Sequence, residues 1–273
     1  MKKILPIFII FAVFLSACTA APANEPAQPA EEVELIVFAA ASLQETFEQI
    51  GKLFEEANPG VKVVFTFDSS GTLKTQIENG ALVDVFVSAA QKQMNELQAG
   101  TEANTAGLDF VDADTRMNVV ENKVALAVAA GNPANIQTFA DLANADVKAI
   151  ALGNADVPVG QYSEELLKNL GIWDEIQPKV SYGSNVKEVT TWINEGVADG
   201  GIIYKTDAFS ANLETVAEAD GTLLKTLVIY PGAVMKNSAH PEQAKAFLAF
   251  LHTPEAEKIL TTVGFSIPAP QAR

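Results

Sequence analysis

Short apolar strands alternate with helical segments along most of this 273-residue chain, and the alternation limits the folds open to it. Runs rich in β-branched and aromatic residues predict strands at residues 33–39, 61–67, 83–87, 123–129 and 202–204. After the first run, Leu43, Phe47 and Ile50 recur at the spacing of one helix face. Such strand–helix–strand units favour a mostly parallel α/β sheet with helices on both faces. Because ligands of these sheets bind outside the carboxyl ends of the strands, the loops there are the first place to look for a site.

The composition argues against several classes of function. The chain has 34 Asp and Glu against 18 Lys and Arg, for a formal charge of −16, which disfavours binding to nucleic acid. Two histidines and one cysteine leave little for a zinc site, a disulfide framework or a cysteine nucleophile. A serine hydrolase is also disfavoured, because the run SSG at residues 69–71 is not G-x-S-x-G and both histidines lie far downstream. We therefore expect no enzymatic activity, no cation site and no cofactor.

The first 32 residues have the features of an export signal followed by a tether. Two lysines and a short apolar run lead into the segment LSAC (residues 15–18), which resembles the lipobox of bacterial lipoproteins. We predict a signal peptide over residues 1–17. Residues 18–32 would then be a lipidated Cys18 followed by a flexible tether rich in Ala and Pro. An ordinary signal peptide with an incidental cysteine is the alternative. The lipoprotein interpretation puts the protein on the extracytoplasmic face of a membrane, held by a lipid anchor.

Two strand-to-helix loops carry groups suited to holding an anion. Ser42 follows the first strand and precedes Glu45 by three residues, the spacing of a capping box, so we expect Ser42 at a helix N-cap. After the second strand, the run SSGT at residues 69–72 puts hydroxyls and a glycine where a helix begins, and successive N–H groups there can converge on an oxyanion. Either loop alone could be an ordinary cap or polar turn. Together they make Ser42 and Ser70 candidate anion ligands.

Three later positions could complete such a site from the other side. The backbone near Val159 precedes a helical run, and the segment at residues 184–188 opens the next helix. Tyr204 ends a strand and could offer its hydroxyl. Each position also has an ordinary explanation, because every helix has a start and a tyrosine at a strand end often belongs to the core.

Five segments, in this order, resemble the blocks of the molybdate-binding proteins of ABC importers. They are VFAAASL (37–43), SSGTL (69–73), GALVDVFVSA (80–89), VPVGQY (157–162) and GIIYKTDA (201–208). The resemblance extends from residue 33 to about residue 266. It implies a two-lobed periplasmic-binding-protein fold of class II type, in which each lobe is a mostly parallel sheet flanked by helices and the ligand lies in the cleft between them.

The same resemblance implies how the lobes and the site are built. We assign residues 33–122 plus 232–273 to lobe I and residues 123–231 to lobe II. The implied oxyanion-binding residues are Ser42, Ser70, Val159, Val186 and Tyr204. The serines would donate from hydroxyl and backbone, the valines from backbone N–H groups, and the tyrosine from its hydroxyl. Asp68 departs from the family pattern, which has small or amide residues there, and its carboxylate would repel a dianion unless it points away.

These observations predict a monomeric, lipid-anchored receptor that binds molybdate or tungstate and delivers it to an ABC transporter permease. Neutral donors suit anions that are fully deprotonated near neutral pH, whereas phosphate usually keeps a proton that needs an acceptor. If Asp68 points inward it supplies that acceptor and favours phosphate. The alternative function is a binding protein of the same fold for sulfate, phosphate or a small organic solute.

Overall fold

The computed structural model describes residues 32–269. The predicted signal peptide, Cys18 and nearly all of the tether lie outside these residues. Within the described range there are ten strands: β1 Val33–Ala40, β2 Val61–Asp68, β3 Val85–Val87, β4 Met117–Asn122, β5 Val124–Val128, β6 Ile150–Gly153, β7 Val180–Gly183, β8 Gly200–Tyr204, β9 Glu214–Glu218 and β10 Val228–Val234. The α-helices in the same range are α1 Gln44–Ala57, α2 Ser70–Glu78, α3 Gln91–Leu97, α4 Pro158–Asn169, α5 Trp173–Ile176, α6 Val186–Asn194, α7 Lys205–Ser210, α8 Pro241–Phe250 and α9 Pro254–Thr262.

The strands form two five-stranded sheets, one in each lobe. The order is β2-β1-β3-β10-β4 in lobe I and β7-β6-β8-β5-β9 in lobe II. β1 is parallel to β2 and β3, and β6 is parallel to β7 and β8. The pairings of β10 and β5 are antiparallel. The expected two-lobed α/β fold is confirmed, but the sheets are mixed rather than mostly parallel. The reason is the direction of two strands. β5 is the first strand after the chain crosses into lobe II, β10 is the first after it returns to lobe I, and each runs antiparallel to its neighbours.

The chain passes between the lobes twice. β4 ends at Asn122 in the first sheet and β5 begins at Val124 in the second, so one residue, Lys123, separates them. The return lies between β9 and β10, within residues 219–227. The boundary that we drew at 231/232 is therefore wrong, because it falls inside β10, where Val228 and Tyr230 already pair with β4. Below, lobe I means residues 33–122 and 228–269, and lobe II means residues 124–218.

Apolar helix faces cover the sheet of lobe I. The predicted face of α1 is buried, with Phe47, Ile50 and Phe54 at most 1% exposed. Phe247 of α8 packs edge-on against Phe54, with ring centroids 5.3 Å apart, so the C-terminal helices cover the same face of lobe I as α1. Among the residues that the structure describes, none of the helices combines the length and the apolarity needed to cross a membrane.

Candidate functional site

A small cavity lies between the lobes, at the carboxyl ends of strands from both sheets. Lobe I contributes the ends of β1 and β2 and the loop after β3, and lobe II contributes the starts of α4 and α6 and the end of β8. Parallel strands direct their carboxyl ends, and the helix starts that follow, to one edge of the sheet. The cavity has a volume of about 10 Å³, so the lobes leave space between them only for a compact solute.

Ser42 lines this cavity, but it is not the helix cap that its spacing to Glu45 suggests. It lies in a short 3-10 turn, α1 begins at Gln44, and no side chain caps that helix. Its Oγ lies 2.9 Å from Tyr230 Oη, which accepts a hydrogen bond from Asn122 Nδ2 at 3.2 Å. Because Tyr230 receives the amide proton, its own hydroxyl proton is available to Ser42. The proton of Ser42 can then point into the cavity.

Ser70 is arranged in a similar way. It is the first residue of α2, it is fully buried, and its Oγ accepts the backbone N–H of Ala89 at 2.9 Å. Its hydroxyl proton remains available to the cavity. The cap of α2 is the preceding residue, Ser69, whose Oγ accepts the N–H of Thr72. The N–H of Ser70 itself stands in the first turn, where the helix supplies no acceptor.

Tyr204 ends β8 and contributes a hydroxyl that lacks an acceptor. Its side chain is 1% exposed and lines the cavity, and its Oη has no hydrogen-bond partner within residues 32–269. Burial raises the pKa of the Tyr204 phenol well above its usual value, so the group remains a protonated donor at physiological pH. Leaving a buried hydroxyl unpaired costs about 1–3 kcal/mol. This hydroxyl therefore suits a ligand that accepts its proton.

The two valines stand at helix starts, but only one of them lines the cavity. Val186 is the first residue of α6, and the side chain of Asn185 caps that helix by accepting the N–H of Glu188 at 3.1 Å. Val159 is the second residue of α4 and is fully buried, while Val157 and the first helical residue, Pro158, line the cavity before it. The N–H groups of both Val159 and Val186 lie in first turns, which also carry the positive end of the helix dipole.

Asp68 is the charged residue at this cavity, and both lobes contact it. It ends β2, and its Oδ1 accepts the N–H of Ser69 at 2.7 Å. The Nδ2 of Asn185, from lobe II, lies 3.4 Å from the same oxygen. One carboxylate oxygen therefore already faces two donors. The residues that line the cavity within the described range include no Lys, Arg or His.

The sequence analysis missed the residues that orient the predicted donors. Tyr230 and Asn122 orient Ser42, and the backbone of Ala89 orients Ser70. No local pattern marks these three, because the contacts join residues 19 to 188 positions apart. Four of the five predicted residues line the same cavity, and Val159 follows the cavity-lining Pro158 in the first turn of α4. Within residues 32–269, no group of three or more His, Cys, Asp or Glu is placed to hold a metal ion.

The two lobes come into close contact beside this cavity. A Cβ on Gly71, in the first turn of α2, would lie 2.2 Å from the carbonyl oxygen of Asp156 in lobe II. On another side, the Nε2 of Gln93 lies 3.4 Å from the Oε1 of Gln161. We call this the closed arrangement, since the lobes contact each other around the cavity.

The family model for bacterial extracellular solute-binding proteins matches residues 35–266. The chain belongs to this family. It is 34% identical over 256 residues to the molybdate-binding protein ModA of Mycobacterium tuberculosis, with 93% of each chain covered. It is 30% identical over 264 residues to YvgL of Bacillus subtilis, assigned as an ABC transporter substrate-binding lipoprotein, with 94% of this chain and 98% of YvgL covered.

A solved structure from Clostridium difficile is similar in fold and sequence. It is the substrate-binding domain assigned to a molybdenum ABC transporter, it is 33% identical, and it superposes with a TM-score of 0.64. The match covers 87% of this chain and all of that one. The family resemblance inferred from the five sequence segments is therefore confirmed.

We expect the substitution of Tyr by Phe to change the free energy of unfolding differently at positions 204 and 230. Without added solute, Tyr204→Phe should leave the free energy of unfolding unchanged or raise it by up to about 1 kcal/mol, because no protein partner is lost. Tyr230→Phe removes an oxygen with two partners and should lower it by about 1–3 kcal/mol. Urea unfolding measures both. An equal loss in the two variants would contradict an unpartnered Tyr204.

Proposed function

We propose that this protein captures molybdate or tungstate between its lobes and delivers it to the permease of an ABC transporter. The observation that carries the proposal is the set of three hydroxyls at one small cavity, those of Ser42, Ser70 and Tyr204. The Ser42 hydroxyl pairs with Tyr230, the Ser70 hydroxyl accepts a backbone N–H, and the Tyr204 hydroxyl has no partner within the described residues. All three can therefore direct protons at one acceptor. Relatives named molybdate-binding proteins, 34% identical over most of the chain, support the same ligand.

The binding residues of the proposal come from both lobes. Ser42 and Ser70 of lobe I donate hydroxyl and backbone protons. From lobe II, Val159 and Val186 donate backbone protons and Tyr204 donates its hydroxyl. Hydrogen bonds from neutral donors to a dianion are strong in a cavity from which water is excluded. The starts of three helices add partial positive charge, so the anion needs no Lys or Arg beside it.

Anion choice depends on the acceptors at the cavity as much as on its donors. Molybdate and tungstate carry no proton near neutral pH and need donors only, whereas hydrogen phosphate needs an acceptor as well. Asp68 is the candidate acceptor, but one of its oxygens already faces the donors of Ser69 and Asn185. This engagement leaves the other oxygen as the acceptor for a phosphate proton, and the neutral donors of the cavity suit anions that carry no proton, namely molybdate, tungstate and sulfate. The volume of the cavity disfavours larger organic solutes.

The proposal includes export and a lipid anchor at Cys18. The segment LSAC at residues 15–18 supports it, as does the assignment of the similar YvgL as a lipoprotein. An anchored, monomeric receptor would pass its ligand to a permease in the same membrane. Incorporation of labelled fatty acid into the parent protein, but not into Cys18→Ala, tests the anchor independently of ligand binding.

The ligand class can be tested by thermal unfolding of the mature protein with four anions. A ligand at about 100 times its dissociation constant adds about 2.7 kcal/mol, which shifts the melting temperature by several degrees. Molybdate and tungstate should each produce this shift, and sulfate and phosphate should not. A shift with phosphate or sulfate alone would mean that the proposed ligand is wrong but the fold assignment stands, and Asp68 would be the first residue to examine. No shift with any anion would reject the oxyanion proposal.

Tyr204→Phe should weaken molybdate binding by about 10- to 100-fold, the effect of losing one hydrogen bond to a charged group. Isothermal titration calorimetry measures the change. The matched control is Tyr182→Phe, since that hydroxyl is exposed and donates to Gln177 away from the cavity. The control should bind like the parent protein. Unchanged affinity in Tyr204→Phe would remove this hydroxyl from the site.

Gly71→Ala should weaken molybdate binding without lowering the stability of the ligand-free protein. Ala is favoured over Gly in a helix by about 1 kcal/mol, so the ligand-free variant should be as stable as the parent protein or slightly more so. The added Cβ would collide with the Asp156 carbonyl in the closed arrangement, and molybdate affinity should fall about tenfold or more. Gly221→Ala is the control, because nothing lies within 4 Å of a Cβ there. Parental affinity in Gly71→Ala would show that binding does not require this approach of the lobes.

A further inference from the structure

The first turn of α6 contacts lobe I on both sides of Val186. On one side, Asn185 Nδ2 lies 3.4 Å from Asp68 Oδ1. On the other, Lys187 Nζ donates to both carboxylate oxygens of Glu45, at 2.7 and 2.8 Å. Glu45 is the second residue of α1, so the Glu45–Lys187 ion pair joins the lobes directly beside a proposed ligand donor.

Lys187 is held in place by a second carboxylate from its own lobe. Asp207 of α7 has a fully buried side chain, and one of its oxygens lies 3.1 Å from Lys187 Nζ. Burial raises the pKa of the Asp207 carboxyl, and the Lys187 ammonium opposes that rise, so the pairing offsets part of the cost of burying the carboxylate. Because both residues belong to lobe II, this contact does not depend on how the lobes are arranged. The ammonium group is thus already positioned when Glu45 approaches, which limits the side-chain entropy lost on pairing.

The charge of Glu45 makes its position informative. It follows the cavity-lining Ser42 by three residues, in a protein that already carries a formal charge of −16. Through-space repulsion alone predicts that removing this carboxylate would improve the binding of a dianion. The ion pair predicts the opposite, because it forms only when the lobes meet and therefore stabilises only the closed arrangement.

We propose that Glu45 is a positioning residue for ligand retention, whose ion pair with Lys187 holds lobe II against lobe I and slows release of the bound oxyanion. The proposal rests on the proposed function, since it needs a ligand between the lobes. Glu45 itself need not touch that ligand. Its effect acts on the lifetime of the complex, because the ion pair must break before the lobes separate.

Glu45→Gln and Glu48→Gln form a matched pair for the test. Each substitution removes one negative charge from an exposed position on α1, and the Glu48 carboxylate accepts from Gln44 of its own helix. Release of radioactive molybdate into excess unlabelled molybdate gives the dissociation rate of the mature protein. Glu45→Gln should release ligand about 2- to 5-fold faster than the parent protein, while Glu48→Gln should match the parent. The difference between the two variants should shrink at high salt.

A charge reversal and a stability measurement complete the test. Glu45→Lys should accelerate release further, because it faces Lys187 with a like charge. Position 45 lies in the first turn of α1, so without ligand both variants should melt slightly below the parent protein, Glu45→Lys more so than Glu45→Gln. If Glu45→Gln releases molybdate no faster than Glu48→Gln, or if Glu45→Lys binds more tightly than the parent, repulsion outweighs the ion pair and the proposal is overturned. Failure of the parent protein to bind molybdate would reject the proposed function, which is a separate result.

Discussion

The hydrogen bonds of Tyr230 connect the hinge of this protein to its candidate site. Tyr230 lies on β10, the strand by which the chain returns to lobe I, and Asn122 ends β4, the strand by which it leaves. The Asn122 amide donates to Tyr230 Oη at 3.2 Å and to Thr206 Oγ1 of lobe II at 2.9 Å. Tyr230 in turn pairs with Ser42. The orientation of a cavity hydroxyl is therefore set by the two strands that join the lobes, so the hinge and the site are one hydrogen-bonded unit.

The site shows how an acidic protein can present a surface suited to an anion without positive side chains. The oxygen of Ser70 accepts a backbone N–H, and the oxygen of Ser42 pairs with the phenol of Tyr230. In both cases the hydroxyl proton of the serine can point into the cavity. At Tyr204, burial keeps the phenol protonated, and its hydroxyl has no hydrogen-bond partner within residues 32–269. Such donors are fixed by the fold, so they need no reorganisation when an anion arrives. Surface charge is screened beyond about 8 Å in physiological salt, and short hydrogen bonds decide what the cavity holds.

Sequence patterns could nominate candidate donors because such candidates stand at strand-to-helix junctions, which local sequence marks well. Ser70 and Val186 could be predicted as helix starts, and Tyr204 as a strand end. The pattern around Ser42 was misleading: Ser-x-x-Glu is a local signal, but Ser42 lies inside the 3-10 turn that leads into α1 rather than at the cap, and its hydroxyl pairs with Tyr230. Tyr230 and Asn122 had no signal, because their partners lie on distant strands.

Strand direction and lobe boundaries were also beyond local patterns. The four-residue strands β6 and β7 are too short to show a periodicity, and antiparallel pairing of β5 and β10 follows from the path of the chain between lobes. The boundary error at 231/232 has the same origin. The apolar residues at the start of β10 would suit either sheet, and only their pairing with β4 assigns them to lobe I.

The contacts between the lobes explain why closure would depend on a ligand. Several of those around the cavity are polar: the Glu45–Lys187 ion pair and the Asp68–Asn185 and Gln93–Gln161 contacts, the latter two at 3.4 Å. Long or partly exposed contacts of this kind stabilise a structure by about 1 kcal/mol or less each. An anion that accepts protons from both lobes adds several charge-assisted hydrogen bonds to the closed arrangement alone. A weak set of lobe contacts thus lets the ligand control closure, and a single ion pair such as Glu45–Lys187 then adjusts how long the closed complex lasts.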